Sequence, residues 1–379
     1  MKNLDKLYKN ILALLLLGYL IIIFAVNVII PQRKFSESEN RVLQEKPRFS
    51  LDKLLKGKYT SDYEKYVADQ FPIRDFWIGV KSSTERVMGK KDNNGVYLGK
   101  DGYLFQIFNK PEEKDFKTKI ENINSFSSQN KEINKYFMLV PNSIEILEDK
   151  LPMFASPEDQ KLYIDKVQNS LDKSINFVDV YSPLKDKKNE YIYYKTDHHW
   201  TTKGAYYAYE ALASAMNFTP KEEEDFNITK VSEDFYGSMY SKSGFRGLEP
   251  DSINLYLPKN KQNLIVSYSD KDKNSSSIYT MDNLNKKDKY TVFLDGNHPV
   301  VKISTEVKND KKLLIIKDSY ANSFVPFLLD HFNEIYMVDL RFYNENLNDL
   351  INKNNIDNLL ILYNVNTFFE DASINNIIE

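Results

Sequence analysis

The 379-residue chain contains no cysteine and only four histidines. The missing thiols exclude disulfides, cysteine nucleophiles, zinc ribbons and iron–sulfur ligation together. Any chemistry that needs imidazole must draw on very few positions. A dominant charge sign is lacking as well: Lys+Arg 51 against Asp+Glu 54 leaves a formal charge of -3, so no global field points to nucleic acid or an acidic polymer as partner. What is present suits a folded protein, with 42% hydrophobic and 28% charged residues in a length that accommodates two or three domains of about 150 residues. No repeat with a period of roughly 20 to 50 residues is visible, which excludes solenoids and propellers.

The segment from Ile11 to Ile30 (ILALLLLGYLIIIFAVNVII) carries no charge. At about 1.5 Å rise per residue it matches a hydrocarbon slab roughly 30 Å thick. It runs into Pro31 without the small residues of a cleavage site, so it reads as an uncleaved signal anchor and not as a signal peptide. A helix apolar on every side is more simply solvated by lipid than by a core. Lys2, Lys6 and Lys9 precede the span while Arg33, Lys34, Arg41, Lys46 and Arg48 follow it, so basic residues alone do not orient it. A short tail ahead of the span behaves as a cytoplasmic n-region, which places the body outside the cytoplasm.

Residues 1–32 are therefore read as tail and anchor, and 33–94 as a helical lead-in broken at Pro72. A main domain opens at 95, where Gly95-Val96-Tyr97-Leu98-Gly99 and Gly102-Tyr103-Leu104-Phe105 make two short strands around a turn. KYFMLVPN (Lys135 to Asn142) and INFVDVYSPL (Ile175 to Leu184) look like buried parallel strands, with a crossover helix from Pro157 to Ser174. Near the carboxyl end LLIIKDS, ANSFVPFLLDHF, EIYMVDLR, NENLNDLINKNN and NLLILYNV read as strand, helix, strand, helix, strand. That order predicts an α/β fold with a parallel sheet flanked by helices, in two parts, 95–220 and 311–379. Residues 221–310, rich in Asp, Asn, Lys, Ser and tyrosine, read as a β- and loop-rich insertion.

In an open α/β sheet the ligand sits beyond the carboxyl ends of the strands. Ser319, in Lys317-Asp318-Ser319-Tyr320, stands where a strand stops and a helix starts. Free N–H groups there can stabilise an oxyanion, although Asp318 or Ser319 equally suits a helix N-cap. In Thr196-Asp197-His198-His199-Trp200-Thr201-Thr202-Lys203-Gly204 two of the four histidines follow an acid. A serine hydroxyl needs an imidazole to take its proton and a carboxylate to fix that imidazole, and Ser319, His199 and Asp197 supply the three roles. Asp-His-His also reads as metal ligation, but further ligands at the usual spacing and an HExxH motif are lacking, so no metal is expected. A packed or surface histidine pair is the plain structural alternative. Asn364, after LLILY, is a strand-end amide that suits either an oxyanion or a turn.

The segment KTDHHWTTKGAYYAYEAL resembles the DHHW family, itself similar to the SGNH hydrolase-like alginate O-acetyltransferases. FSESENRVL (Phe35 to Leu43), DQFPIRD (Asp69 to Asp75), GVYLGKDGYLF (Gly95 to Phe105) and KDSYANSFVPFL (Lys317 to Leu328) extend the resemblance over most of the chain after the anchor. It implies a flavodoxin-like SGNH sheet, circularly permuted, because the serine block here comes last and the Asp and His come first. It also implies that Ser319 N–H and Asn364 hold the oxyanion, with Tyr320 beside them and Arg341 near the acyl or sugar oxygens, and that His199 acts rather than His198. Lys317 replaces the usual Gly, and Asp197 and His199 stand two apart, as in the acetyltransferase branch. Asp295-x-x-His298-Pro299 has the hydrolase spacing but precedes the strand-like VVKISTEV, whereas the catalytic histidine should open a helix. His331 reads as structural.

The activity so implied is extracytoplasmic O-acetylation of a cell-surface or secreted polysaccharide. No cofactor is implied, and a membrane-bound O-acyltransferase is the implied acetyl donor. An acetyl esterase and a catalytically silent polysaccharide-binding or assembly protein are the alternatives.

Overall fold

The computed structural model describes residues 2–153, 155–260, 263–272 and 274–378. The chain forms two compact units, Met1–Lys90 with Gly244–Arg246, and Lys91–Ser243 with Gly247–Glu379.

The first unit opens with α1 (Lys2–Ile29), whose window Lys6–Asn27 is long and apolar enough to cross a membrane and has no part buried. A two-residue ladder (Phe35–Ser36 with Arg41–Val42) and a short helix (Leu51–Leu55) lead to α2 (Lys58–Asp69) and α3 (Arg74–Val87). The helical path breaks before Pro72, as the restriction on a residue preceding proline requires. Two of the sequence blocks meet here: Arg41 donates to both oxygens of Asp69 (2.9 and 2.6 Å), and Arg74 donates to both oxygens of Glu39 (3.0 and 2.9 Å). Bidentate pairs of this kind fix orientation as well as distance.

The second unit is built on a seven-stranded sheet. Its strands are β1 (Asn134–Val140), β2 (Ile175–Phe177), β3 (Ile265–Tyr268), β4 (Val300–Ser304), β5 (Lys312–Lys317), β6 (Glu334–Val338) and β7 (Asn358–Asn364), in the spatial order β3-β4-β6-β5-β7-β1-β2. From β6 to β2 every pairing is parallel, while β3 and β4 add an antiparallel edge. The central strands are apolar almost throughout because both faces are covered. Leu313, Ile315, Leu360 and Leu362 pack into one cluster; Leu314, Ile316, Leu359 and Ile361 alternate into the other. Helices α4 (Glu113–Gln129), α5 (Gln160–Ser170), α6 (Thr202–Met216) and α7 (Leu347–Asn354) complete the layers.

Three sequence expectations change. INFVDVYSPL is a strand only over Ile175–Phe177; Val178 and Val180 are buried without extending it, and Tyr181–Asp186 is helical. The helix after Ser319 is the single turn Ala321–Phe324 followed by a 3-10 turn Val325–Leu328, since Pro326 offers no N–H to continue it. The stretch 221–310 makes a hairpin (Phe226–Phe235 with Asp251–Pro258), but it also supplies β3 and β4 to the main sheet.

Register brings three chain segments to one edge. Lys317 pairs with Leu362, and Asn364 with Val140, so the residues after β5, β7 and β1 leave the sheet side by side. This is the carboxyl-end crevice where α/β sheets bind ligands.

Candidate active site

Asp197 to His199 lie in a loop closed by an antiparallel bridge between Tyr193 and Trp200, with Tyr194 N–H bonded to the His199 carbonyl. Thr201 then caps α6, accepting from Gly204 N–H (3.3 Å). At Gly204 a Cβ would lie 3.1 Å from Trp200 Cβ and 3.3 Å from the Ile192 carbonyl carbon, so only glycine lets the helix start this close to the loop. Asp251 holds the loop from behind. Its carboxylate accepts from Lys195 N–H (2.7 Å), Thr196 N–H (2.8 Å), the Thr196 hydroxyl (2.5 Å) and the Tyr191 hydroxyl.

Ser319 follows β5 and is partly exposed, whereas His199 and Asp197 are buried. His199 Nε2 lies 2.7 Å from Ser319 Oγ, and His199 Nδ1 lies 2.5 Å from Asp197 Oδ1. The carboxylate can only accept, so Nδ1 carries the proton and Nε2 presents a lone pair to the serine hydroxyl. Asp197 accepts two further bonds, from His199 N–H (3.1 Å) and Ser238 N–H (2.7 Å). Burial alone would raise the Asp197 carboxyl; the positive charge available on His199 and then His198 outweighs it and holds the group well below the usual carboxylate range.

Neighbours of these residues lace the two loops together. Trp200, next to His199, donates its indole N–H to the Tyr320 carbonyl (3.1 Å) and Ser323 Oγ (3.0 Å). Tyr320, next to Ser319, donates its hydroxyl to the His198 carbonyl. The Tyr290 ring stacks on the His199 ring at 3.7 Å between centroids and 9° between planes, and its hydroxyl reaches the Ser319 carbonyl (3.1 Å) and Ser323 Oγ (3.0 Å). Motif spacing gives no sign of Tyr290, of Ser238 or of Asp251, all of which come from the region read as an insertion.

Two expectations are corrected. Asn364 does not offer an oxyanion donor: its Nδ2 hydrogens go to Asp318 Oδ2 (2.6 Å) and Thr367 Oγ1 (2.7 Å), and its Oδ1 caps the helix Val365–Glu370 through Thr367 N–H (3.1 Å). Flipping the amide would set an oxygen against the Asp318 carboxylate, so the assignment is fixed by its partners. Tyr320 is fully buried, with its hydroxyl bonded to His198 O and Asn142 Nδ2, and belongs to the scaffold. Among the described residues no hydrogen bond is formed by Ser319 N–H, which leaves it available beside the hydroxyl. Arg341 follows β6 and binds Asp339 with Nε (2.8 Å) and Nη2 (2.6 Å).

The loops around β5 account for the other candidates. His298 pairs through Nδ1 with Asp270 (2.8 and 2.9 Å), while Asp295 binds Asn283 (2.5 Å) and Lys271, so the hydrolase-like spacing does not form a dyad. His331 is packed on Phe218 and bonded to the Tyr209 hydroxyl (2.7 Å). Ligand atoms of Asp197, His198 and His199 lie within 4.8 Å of one another, close enough to share a cation. That use competes with the bonds above, because His199 Nδ1 is engaged by Asp197 and His198 Nδ1 by Ser238 Oγ (2.6 Å).

The residues Asp197-His198-His199-Trp200 lie within a match to the DHHW protein family that spans residues 94–338. The chain belongs to the DHHW family. A DHHW family protein from Eubacterium siraeum is 28% identical, with a TM-score of 0.65 over 76% of this chain and 97% of that one. PatB1 of Bacillus cereus, solved with a sulfonyl adduct, has the same fold at 20% identity, with a TM-score of 0.61 over 73% of this chain and 97% of its own. The O-acetyltransferase domain of Pseudomonas putida AlgJ matches at 14% identity and a TM-score of 0.45, over 72% of this DHHW chain and 92% of that domain. No curated protein sequence matches.

Proposed function

We propose that this DHHW protein is an extracytoplasmic serine O-acetyltransferase, anchored by α1, that acetylates a cell-surface or secreted polysaccharide. The observation that carries the reading is the unbroken line Asp197 Oδ1, His199 Nδ1, His199 Nε2, Ser319 Oγ at 2.5 and 2.7 Å, ending on a partly exposed serine. Ser319 Oγ attacks the acetyl carbonyl while its proton passes to His199 Nε2. The tetrahedral oxyanion is met by Ser319 N–H, and collapse expels the donor's leaving group, which takes the proton from His199. A sugar hydroxyl then gives its proton to His199 as it attacks the acetyl-serine carbonyl; the bond from Ser319 Oγ to the acyl carbon breaks, Ser319 Oγ takes the proton back from His199, and the acetylated sugar leaves. Asp197 holds the imidazole tautomer and offsets the charge of the imidazolium in both halves.

Arg341, its charge shared with Asp339, is the proposed contact for acyl or sugar oxygens. The donor is proposed to be a membrane-bound O-acyltransferase that passes acetyl groups across the bilayer. In this reading the sheet is a circularly permuted SGNH sheet, with the nucleophile on the last part of the chain. The sulfonyl adduct borne by PatB1 is in keeping with a nucleophile in this fold.

Ser319→Ala tests the assignment. The variant is expected to lose hydrolysis of an aryl acetate and covalent labelling by a sulfonyl fluoride; full esterase activity in the purified variant would remove Ser319 as nucleophile. Supplying oligosaccharide acceptors separates transfer from hydrolysis, because acetylated sugar accumulates in the first and free acetate in the second. Failure to label the wild-type serine favours a silent binding protein.

A further inference from the structure

The first unit carries an apolar stripe at the start of α3 that its own packing covers only in part, Trp77 resting edge-on against Phe71 and Phe76. Ile73, Phe76, Trp77 and Val80 stand at i, i+3, i+4 and i+7 and are 61%, 58%, 36% and 39% exposed. The opposite face, with Gly79 against the Arg246 stem and Ser82 buried, is the one that packs. A stripe at this period is the pattern by which a helix buries one side, yet here that side faces outward. Ile73 adds a second sign. It adopts φ 47, a left-handed conformation that is costly for a β-branched residue and cheap for Gly or Asn, so the turn alone gives no reason for an isoleucine there.

The position of the stripe is fixed by hydrogen bonds to the end of the span. Asn27 Nδ2 donates to the Gln70 carbonyl (3.2 Å), Arg33 N–H to Gln70 Oε1 (3.0 Å), and Gln70 Nε2 to the Arg33 carbonyl (2.9 Å). Arg33 also binds Asp75, in the first turn of α3, at 3.2 Å. The residues that leave the apolar helix at Asn27 to Arg33 are thus tied to the residues where the stripe begins. If Lys6–Asn27 crosses a bilayer, the start of α3 stands at headgroup depth, where tryptophan and phenylalanine are favoured and where an apolar helix face sinks about 5–10 Å.

We infer that the Ile73, Phe76, Trp77 and Val80 face docks on the bilayer surface itself, so that the protein holds its membrane by a span and an interfacial helix together. The stripe begins at residues hydrogen-bonded to the span exit, and Arg33 and Arg74 beside it are paired with Asp75 and Glu39, so the docking rests on its apolar side chains. This docking rests on the anchor reading and is independent of the chemistry assigned to Ser319.

Tryptophan fluorescence gives a direct test, because the chain has two tryptophans and Trp200 is fully buried in the other unit. The full chain is reconstituted in phosphatidylcholine–phosphatidylglycerol vesicles whose acyl chains are brominated near the glycerol end. The expected result is loss of the Trp77 emission to bromolipid, protection from aqueous iodide, and disappearance of the quenched component in Trp77→Phe. Quenching by iodide and not by bromolipid overturns the inference, as does protection from both, which signifies a protein partner or a second copy on the stripe. A chain that fails to float with the vesicles overturns the anchor reading and this inference with it. Aryl acetate hydrolysis measured on the same vesicles is expected to be equal in wild type and Trp77→Phe, so failure of the docking is distinguishable from failure of the proposed catalysis.

Discussion

Gly237→Ala is the substitution that most sharply tests whether the orientation of Asp197 governs the site. Gly237 sits against the Asp197 side chain, whose Cβ, Cγ and Oδ2 are the three atoms nearest to any added Cβ. The new methyl would lie 2.6 Å from Asp197 Cγ, against about 3.5–4.0 Å for comfortable carbon contact, so one group must move by about 1 Å. The backbone of Gly237 is not in the left-handed region, which leaves the collision as the whole effect. Asp197 cannot retreat without stretching its bonds to His199 Nδ1 (2.5 Å) and Ser238 N–H (2.7 Å). A misplacement of about 1 Å in such an arrangement costs about 100-fold in rate. The assay is kcat for aryl acetate hydrolysis together with the rate of sulfonyl labelling at Ser319, both expected to fall by about that factor while the circular dichroism spectrum is unchanged. A thermodynamic cycle distinguishes this from general loosening: in an Asp197→Gly background the same methyl no longer meets the three atoms nearest to it and should cost little further activity. Full activity of Gly237→Ala, or the same loss in both backgrounds, refutes the reasoning.

Tyr290→Phe keeps the stacking on His199 and removes the hydroxyl, so it is expected to cost about 1 kcal/mol of stability with little change in kcat; Tyr290→Ala also frees the imidazole and should lower kcat at least tenfold more, as initial rates on folded protein will show. Asp197 is depressed in the folded state, so its contribution to stability is fully present above the unfolded carboxylate value of about 3.9 and is withdrawn as pH falls through the folded value. The fall in Tm as pH drops below about 4 should therefore be larger in wild type than in Asp197→Asn, in which other depressed carboxyls such as Asp69 still contribute. Asn364→Ala removes a donor to Asp318 and the cap on Thr367, and is expected to lower stability by about 1–3 kcal/mol in denaturant titrations.

The carboxyl-terminal strands were legible because β5, β6 and β7 are short uninterrupted apolar runs between polar segments, which two-sided burial demands. INFVDV misleads for a related reason: Val178 and Val180 are buried as deeply as strand residues but belong to a buried loop, and periodicity cannot separate the two. Ser319, His199 and Asp197 could be paired in the sequence since a chain without cysteine and with four histidines offers few ways to set an imidazole beside a nucleophile, and the structure brings the three within hydrogen-bond distance. Asn364 shows the opposite case. Its residue type suits an oxyanion hole, but whether an amide is free depends on its partners, and Asp318, at the end of the neighbouring strand, and Thr367, three residues on, occupy it. Tyr290, Ser238 and Asp251 reach the site through pairings between distant segments that local pattern does not encode.

The polar groups around the serine turn decide which atoms remain for chemistry. Lys317 Nζ, buried and for that reason lowered to about 8, is bonded to Asn297 Oδ1 (2.7 Å) and Asn322 Oδ1 (2.8 Å). Burial pushes Asp318 up to about 6 against the pull of its donors, and both of its oxygens are filled, by Tyr320 N–H (2.8 Å) and by Asn364 N–H (2.7 Å) and Nδ2 (2.6 Å). Asp318 therefore does not compete with Asp197 for the imidazole. Asn364 passes the restraint on to Asn142 (3.0 Å), and Asn142 to Gln160, whose Oε1 accepts from its N–H at 2.8 Å. The Ser319 carbonyl is held by Tyr290 and Asn322. With its flanks so engaged, the turn keeps Ser319 Oγ aimed at His199 and its N–H unspent beside it. In the proposed reaction, charge developing on the acyl oxygen would meet a donor already in place, and the reorganisation that water would require would be removed from the barrier.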